Sequence, residues 1–162
     1  MQQGHEMSGM KSPQMMKRHY LMLALNLGLS LVIMYLAMFA MIWTLGEFIQ
    51  NVNFFYMALL MWAPMAIVML LTMGSMYQNK KLNLILYAAF ALIGVLSFVG
   101  IRNQSLVGDR QFLRSMIPHH SGAILMCSKA SLHDAEIKQL CSEIIPAQQR
   151  EVDQMKQIMT RL

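Results

Sequence analysis

LMLALNLGLSLVIMYLAMFAMIW, residues Leu21–Trp43, runs for 23 residues without an Asp, Glu, Lys or Arg. Two further runs of this kind follow, Phe54–Gly74 and Leu82–Ile101, of 21 and 20 residues. A bilayer core of roughly 30 Å is crossed by about 20 helical residues, so each run is long enough to span. Pro64 interrupts the second, which lipid-embedded helices tolerate when neighbours satisfy the freed carbonyl. The first run is too long for the apolar core of a cleavable signal peptide, and no small-residue cleavage site follows Trp43. We therefore expect three transmembrane helices, about 21–43, 54–74 and 82–101, in a membrane region covering 20–104. They account for a composition with 56% hydrophobic and only 13% charged residues.

The placement of Lys and Arg predicts orientation. Lys11, Lys17 and Arg18 precede the first run, and Lys80 and Lys81 lie between the second and third. The connection Thr44–Asn53 carries no basic residue and contains Glu47. The amino terminus and second loop are expected in the cytoplasm, and the carboxy-terminal domain on the extracytoplasmic side of a plasma membrane. Arg102, Arg110 and Arg114 count against this arrangement. The net charge of +5 is thereby assigned to the lipid bilayer as partner. No basic stripe interleaved with aromatics supports nucleic acid.

Residues 1–19 are polar, contain Gly4, Gly9 and Pro13, and read as a flexible tail. They nevertheless hold Met1, His5, Met7, Met10, Met15, Met16 and His19. After a polar linker, residues 105–162 carry the amphipathic, charged part of the chain and read as an antiparallel helical hairpin. Asp109 is a plausible cap for its first helix. At about 100° per residue, Asp109, Phe112, Met116, His119, His120, Ala123, Met126, Cys127 and Ala130 form one stripe, with Arg110, Arg114, Ser121 and Ser128 on the other side. Ser131-Leu-His-Asp134 resembles a capping box and would start the second helix. There Ile137, Cys141, Ile144, Gln148, Glu151, Met155 and Met159 form a second stripe. Pro118 and Pro146 should bend the two helices.

Folding this pair antiparallel sets opposite one another positions whose numbers sum to about 268. Cys127 then faces Cys141, His120 faces Gln148, and Met116 approaches Glu151 and Val152. A disulfide, two inert buried side chains and a metal thiolate pair all remain open for the cysteines. Two helices leave faces uncovered; either a two-fold dimer forming a four-helix bundle or packing onto the membrane unit would cover them.

Met116, His119 and His120, with Met126 or Met155, supply imidazole and thioether donors that suit a cuprous or silver ion better than calcium, magnesium or iron. Glu151 and Asp109 are candidates to orient the imidazoles. The competing reading is a packed stripe in which Met fills gaps. The chain has 19 Met, 15 of them before residue 105. Met57, Met61, Met65, Met69 and Met73 recur every fourth residue in the second run, and Met34, Met38 and Met41 follow similar spacing in the first; exact fourfold spacing drifts by about 40° per step and so winds around the helix. No nucleophile–base pair or activated-water site can be assembled, so no catalysis is expected.

The pattern Asp109-x-x-Phe112-x-x-x-Met116-Ile117-Pro118-His119-His120-x-x-Ala123-Ile124-x-Met126, then Ile144-x-x-x-Gln148-x-x-Glu151-x-x-x-Met155, resembles the domain-of-unknown-function-305 family over residues 109–159. The resemblance implies a ferritin-like helical domain, here following three spans, and a part in copper binding or resistance at the bacterial envelope. It carries Met116, His119, His120, Met126 and Met155 over as metal-site positions, with Glu151 and Gln148 nearby. Ser121, where Gln is frequent, and Pro146 depart from the pattern. The expectation is an all-α, membrane-anchored, self-associating binding protein for Cu(I), Ag(I) or a similar soft ion. A three-span copper transporter, similar to the Ctr family in its Met-x-x-x-Met second span, and a structural module are the alternatives.

Overall fold

The computed structural model describes residues 13–162, in which helices are joined by short connections and no strand occurs. Five α-helices follow in order: α1 Pro13–Ala37, α2 Val52–Thr72, α3 Lys80–Arg102, α4 Asp109–Lys129 and α5 Ala135–Met159. Two short 3-10 turns, Met38–Met41 and Leu45–Glu47, lie between α1 and α2. The segments Gln14–Met41, Val52–Thr72 and Lys80–Arg102 are long and apolar enough to cross a membrane. The three spans read from the sequence correspond to them.

The first helix begins earlier than the apolar run. Proline at a first helical position costs no hydrogen bond and its φ suits the helix, so α1 starts at Pro13 and takes in residues assigned to the flexible tail. His19 Nδ1 lies 3.2 Å from the Met76 carbonyl, and the Tyr20 hydroxyl donates to Asn83 at 2.7 Å. These contacts bring Lys17, Arg18, Lys80 and Lys81 to one end of the spans. Met1, His5, Met7 and Met10 of the tail lie outside the described residues.

Lipid tails are as apolar as Leu, so close packing between spans needs small side chains. Buried Ala63 and Ala66 of α2, with Gly94, Ser97 and Gly100 of α3, provide them. At Gly100 a Cβ would sit 3.0 Å from the Tyr56 ring, so the missing side chain lets that ring approach closely. Leu23 and Leu27 of α1 pack with Ala63, Ala66, Leu70 and Phe90, and the Trp62 indole donates to the Leu27 carbonyl at 2.7 Å.

At the opposite end from the basic residues, polar groups seat α4 on the membrane unit. Asn51 caps α2 by accepting from Phe54 N–H at 2.8 Å. The Gln111 side chain accepts from Val52 N–H at 3.3 Å, and Asn53 donates to Ser115 at 3.2 Å and to Gln104 at 3.0 Å. Tyr56 donates to the Ser105 carbonyl. Gln104 and Leu106 of the short α3–α4 linker adopt φ of 49° and 63°.

Both helix starts of the carboxy-terminal region are displaced from expectation. The cap of α4 is Gly108, whose carbonyl accepts from Phe112, and Asp109 is the first helical residue without a capping bond. A carboxylate there is still favoured by the helix dipole. The cap of α5 is Asp134, which accepts from Ile137 N–H at 3.0 Å, so Ser131 does not begin the helix. The acidic side chain three residues later takes the role because it reaches the orphan amide of the first turn. Both helices run unbroken through Pro118 and Pro146.

Candidate metal centre

Two flanks of α4 are covered. Toward α5, Leu113 and Ile117 pack with Val152 and Met155, bordered by Met116, Ile158 and Met159. On a flank roughly 120° away, Ser115, Pro118, Ser121 and Gly122 are buried against the first connection and the start of α2. The stripe drawn from sequence is centred roughly 100° from the α5-facing side, because it followed Met and His while Leu113, Ile117 and Ile124 took the burial. Phe112 and Met126 are exposed, and so is His119.

Ser121 is the clearest departure. Assigned to the wet side of α4, it is fully buried and its hydroxyl lies 2.6 Å from the Glu47 carboxylate. The same oxygen accepts from Trp43 N–H at 2.6 Å. Glu47 is itself 2% exposed, accepts from Thr44 N–H at 2.9 Å, and pairs with Lys156 of α5 at 3.2 Å. Burial pushes its carboxyl up, but the Ser121, Thr44 and Lys156 donors outweigh this and hold it below the usual glutamate range. A single acidic side chain thus ties the first connection to both α4 and α5.

The candidate metal residues divide between the flanks. On the α5 side, His120 Nδ1 lies 2.8 Å from a Glu151 carboxylate oxygen, an ion-pair approach without hydrogen-bond alignment. His120 thus meets Glu151, one turn beyond the expected Gln148. Met116 and Met155 belong to the adjoining apolar cluster, Met155 buried within it. Asp109 joins neither imidazole; it sits with Leu113, Ile158 and Arg161, about three turns away along α4. Beyond His120, Cys127 and Cys141 form a disulfide with Cα atoms 5.3 Å apart, matching the expected register and closing the question left open for them.

On the membrane side, His119 and Met126 line a cleft of about 410 Å³ together with Met38, Met41 and Met57. Gly122 forms part of its wall: a Cβ there would meet the Met41 carbonyl at 3.4 Å. One imidazole and four thioethers thus share a mostly apolar cleft, lined by no carboxylate. Hard cations seek oxygen ligands, whereas neutral soft donors in such a lining match a soft monovalent ion. The rings of His119 and His120 are 5.9 Å apart, edge to face, so the two groupings adjoin. Among the described residues no three His, Cys, Asp or Glu side chains converge.

Met38, Met41 and Met57 were noticed only as parts of ladders within single helices. The fold uses the ends of those ladders. Farther along α2, Met61 and Met73 are exposed while Met65 and Met69 pack against the core of the spans, as a winding row must.

Residues 101–159 match the Domain of unknown function (DUF305). The chain is 38% identical over 119 residues to an uncharacterized protein of Acanthamoeba polyphaga mimivirus, a match covering 72% of this chain and 76% of that protein. That match is longer than the domain, so it reaches back into the apolar helices. No solved structure matches. The donors of α4 and α5 fall inside the matched domain and those of the cleft's other wall lie outside it; by the domain and the viral relative together, the chain belongs to the DUF305 family.

Proposed function

We propose that this is a membrane-anchored binding protein for Cu(I) or a similar soft ion such as Ag(I), serving copper handling or resistance at the cell envelope. The observation that carries the reading is the convergence of His119, Met126, Met38, Met41 and Met57 from three parts of the chain on one cleft. Met116, His120, Glu151 and Met155 form the neighbouring group, in which Glu151 lies 2.8 Å from the His120 ring. The ion is cargo, and the protein is not an enzyme.

The α4–α5 pair acts as an extracytoplasmic, ferritin-like hairpin, with the amino terminus in the cytoplasm. The disulfide supports an oxidising compartment, and the basic cluster at the far end of the spans supports that orientation. A second copy would cover Ile137 and Leu140, which lie exposed on α5, giving the dimer. Transport is the second reading, favoured by the position of Met38, Met41 and Met57 at the ends of the first two spans and disfavoured by the winding of the α2 row.

Titration of the full-length protein in detergent with Cu(I) against a competing chelator tests the proposal. The parent should bind, and His119→Ala with His120→Ala should weaken binding at least tenfold. A parent that takes up no ion, or a double variant that binds as tightly, overturns it. Reporters fused at each terminus check orientation.

A further inference from the structure

Leu31, Val32 and Leu36 of α1 and Val52 and Phe55 of α2 line a groove of about 600 Å³ on the surface of the spans. It ends against Gln111 and Arg114 of α4. Arg114 also lines a second cleft of about 500 Å³, shared with Arg110, Lys156 and Thr160. An apolar slot at membrane depth therefore opens beneath a basic pocket at the membrane boundary, and one guanidinium belongs to both.

Arg110 and Arg114 are one helical turn apart and share a face of α4. Among the described residues neither makes an ion pair, and Lys156 already pairs with Glu47. Asp109, adjacent in sequence to Arg110, lines a different cleft with Ile158 and Leu162. Positive-inside logic leaves these arginines unexplained on the extracytoplasmic side. Guanidinium forks match phosphate oxygens, and basic side chains at a bilayer surface recognise anionic headgroups.

We infer that this composite cleft binds an anionic phospholipid, its phosphate held by Arg110 and Arg114 and one acyl chain lying in the Leu31–Phe55 groove. The site is independent of the soft-ion reading. Free phosphate would use the basic pocket alone, and the adjoining apolar groove argues for lipid.

Native mass spectrometry of the full chain, released from detergent with phosphatidylglycerol or phosphatidylcholine, tests this. The parent should retain phosphatidylglycerol preferentially. Arg110→Gln with Arg114→Gln should lose about thirtyfold of that preference, roughly fivefold per arginine. Val32→Trp, which fills the groove, should reduce retention of both lipids. If the double variant does not fold, Arg110→Gln alone, on an exposed position, should lose about fivefold. An unchanged preference in the arginine variants overturns the proposal. So does displacement of the lipid by inorganic phosphate together with indifference to Val32→Trp, which would mark a free-anion pocket.

Discussion

Replacing Glu47 by alanine should loosen the carboxy-terminal domain from the membrane unit, and the cost can be worked from the contacts. One carboxylate oxygen accepts from Thr44 N–H and the Ser121 hydroxyl, and the other meets Lys156. Hydrogen bonds to charged groups contribute about 1.5–3 kcal/mol each, and a buried donor left without an acceptor adds its own penalty. Ser121 is fully buried and has no water to turn to, whereas the Lys156 side chain is 36% exposed and does. Glu47→Ala should therefore cost about 3–5 kcal/mol. Glu47→Gln keeps an acceptor for Thr44 and Ser121 and should cost about 1–2 kcal/mol. Lys156→Met strands the other oxygen of the buried carboxylate and should cost about 1–3 kcal/mol, less than Glu47→Ala because Thr44 and Ser121 keep their acceptor. Acid should separate the variants further. The folded carboxyl titrates below its ordinary value, so its contribution is present above about pH 4.3 and is lost as pH falls through the folded value. Glu47→Gln abolishes that acid-dependent part. Hydrogen exchange of α4 amides in nanodiscs reads the energies. Trp43 is a local optical reporter, its amide bonded to Ser121 and its ring 5.6 Å from the Lys129 ammonium. Unchanged α4 protection in Glu47→Ala, or a larger loss in Lys156→Met, would refute the reasoning.

Substitutions at five further positions probe the rest of the fold. Gly100→Leu drives side-chain atoms into the Tyr56 ring and should cost about 1–3 kcal/mol in denaturant unfolding, while Gly94→Ala, whose Cβ would meet Ala63 at 3.6 Å, should be tolerated; equal losses would show that close helix approach is not what glycine provides. Replacing Cys127 and Cys141 by serine should lower stability by about 3 kcal/mol, read as a thermal shift that reducing agent reproduces in the parent. Leu106→Gly, at an exposed position with φ of 63°, should be neutral or stabilising by up to about 1 kcal/mol, and a loss larger than that would exclude local backbone strain.

The spans were legible because charge-free runs of 20 or more residues have few other solutions. Their ends were less so: hydropathy cannot see that Pro13 starts α1 before the apolar run begins. The cysteine register was legible because a tight turn between two helices fixes which residues lie opposite. The seat of α4 was missed, since a lone Glu in a short loop and a Ser on a charged helix side both read as solvated. One signal was present: Thr44-Leu-Gly-Glu47 has capping-box spacing, and the Glu47 carboxylate does reach back to Thr44 N–H. That spacing marks the first connection as structured, although it does not name Ser121 or Lys156 as partners.

The adjacency of His119 and His120 has a consequence that a single-centre picture hides. Consecutive helical residues project about 100° apart, so a helix packed on two sides must send one imidazole each way. Here one turns toward Glu151 and α5, the other toward the methionines at the ends of α1 and α2. The pair links two donor groups that otherwise belong to different parts of the fold. The soft-ion reading therefore depends on the seat of α4 as much as on the donors. Glu47, which bonds no metal candidate, holds the helix where both groups can form, and a buried carboxylate serves there because its acceptors fix position where apolar contact alone would allow α4 to slide.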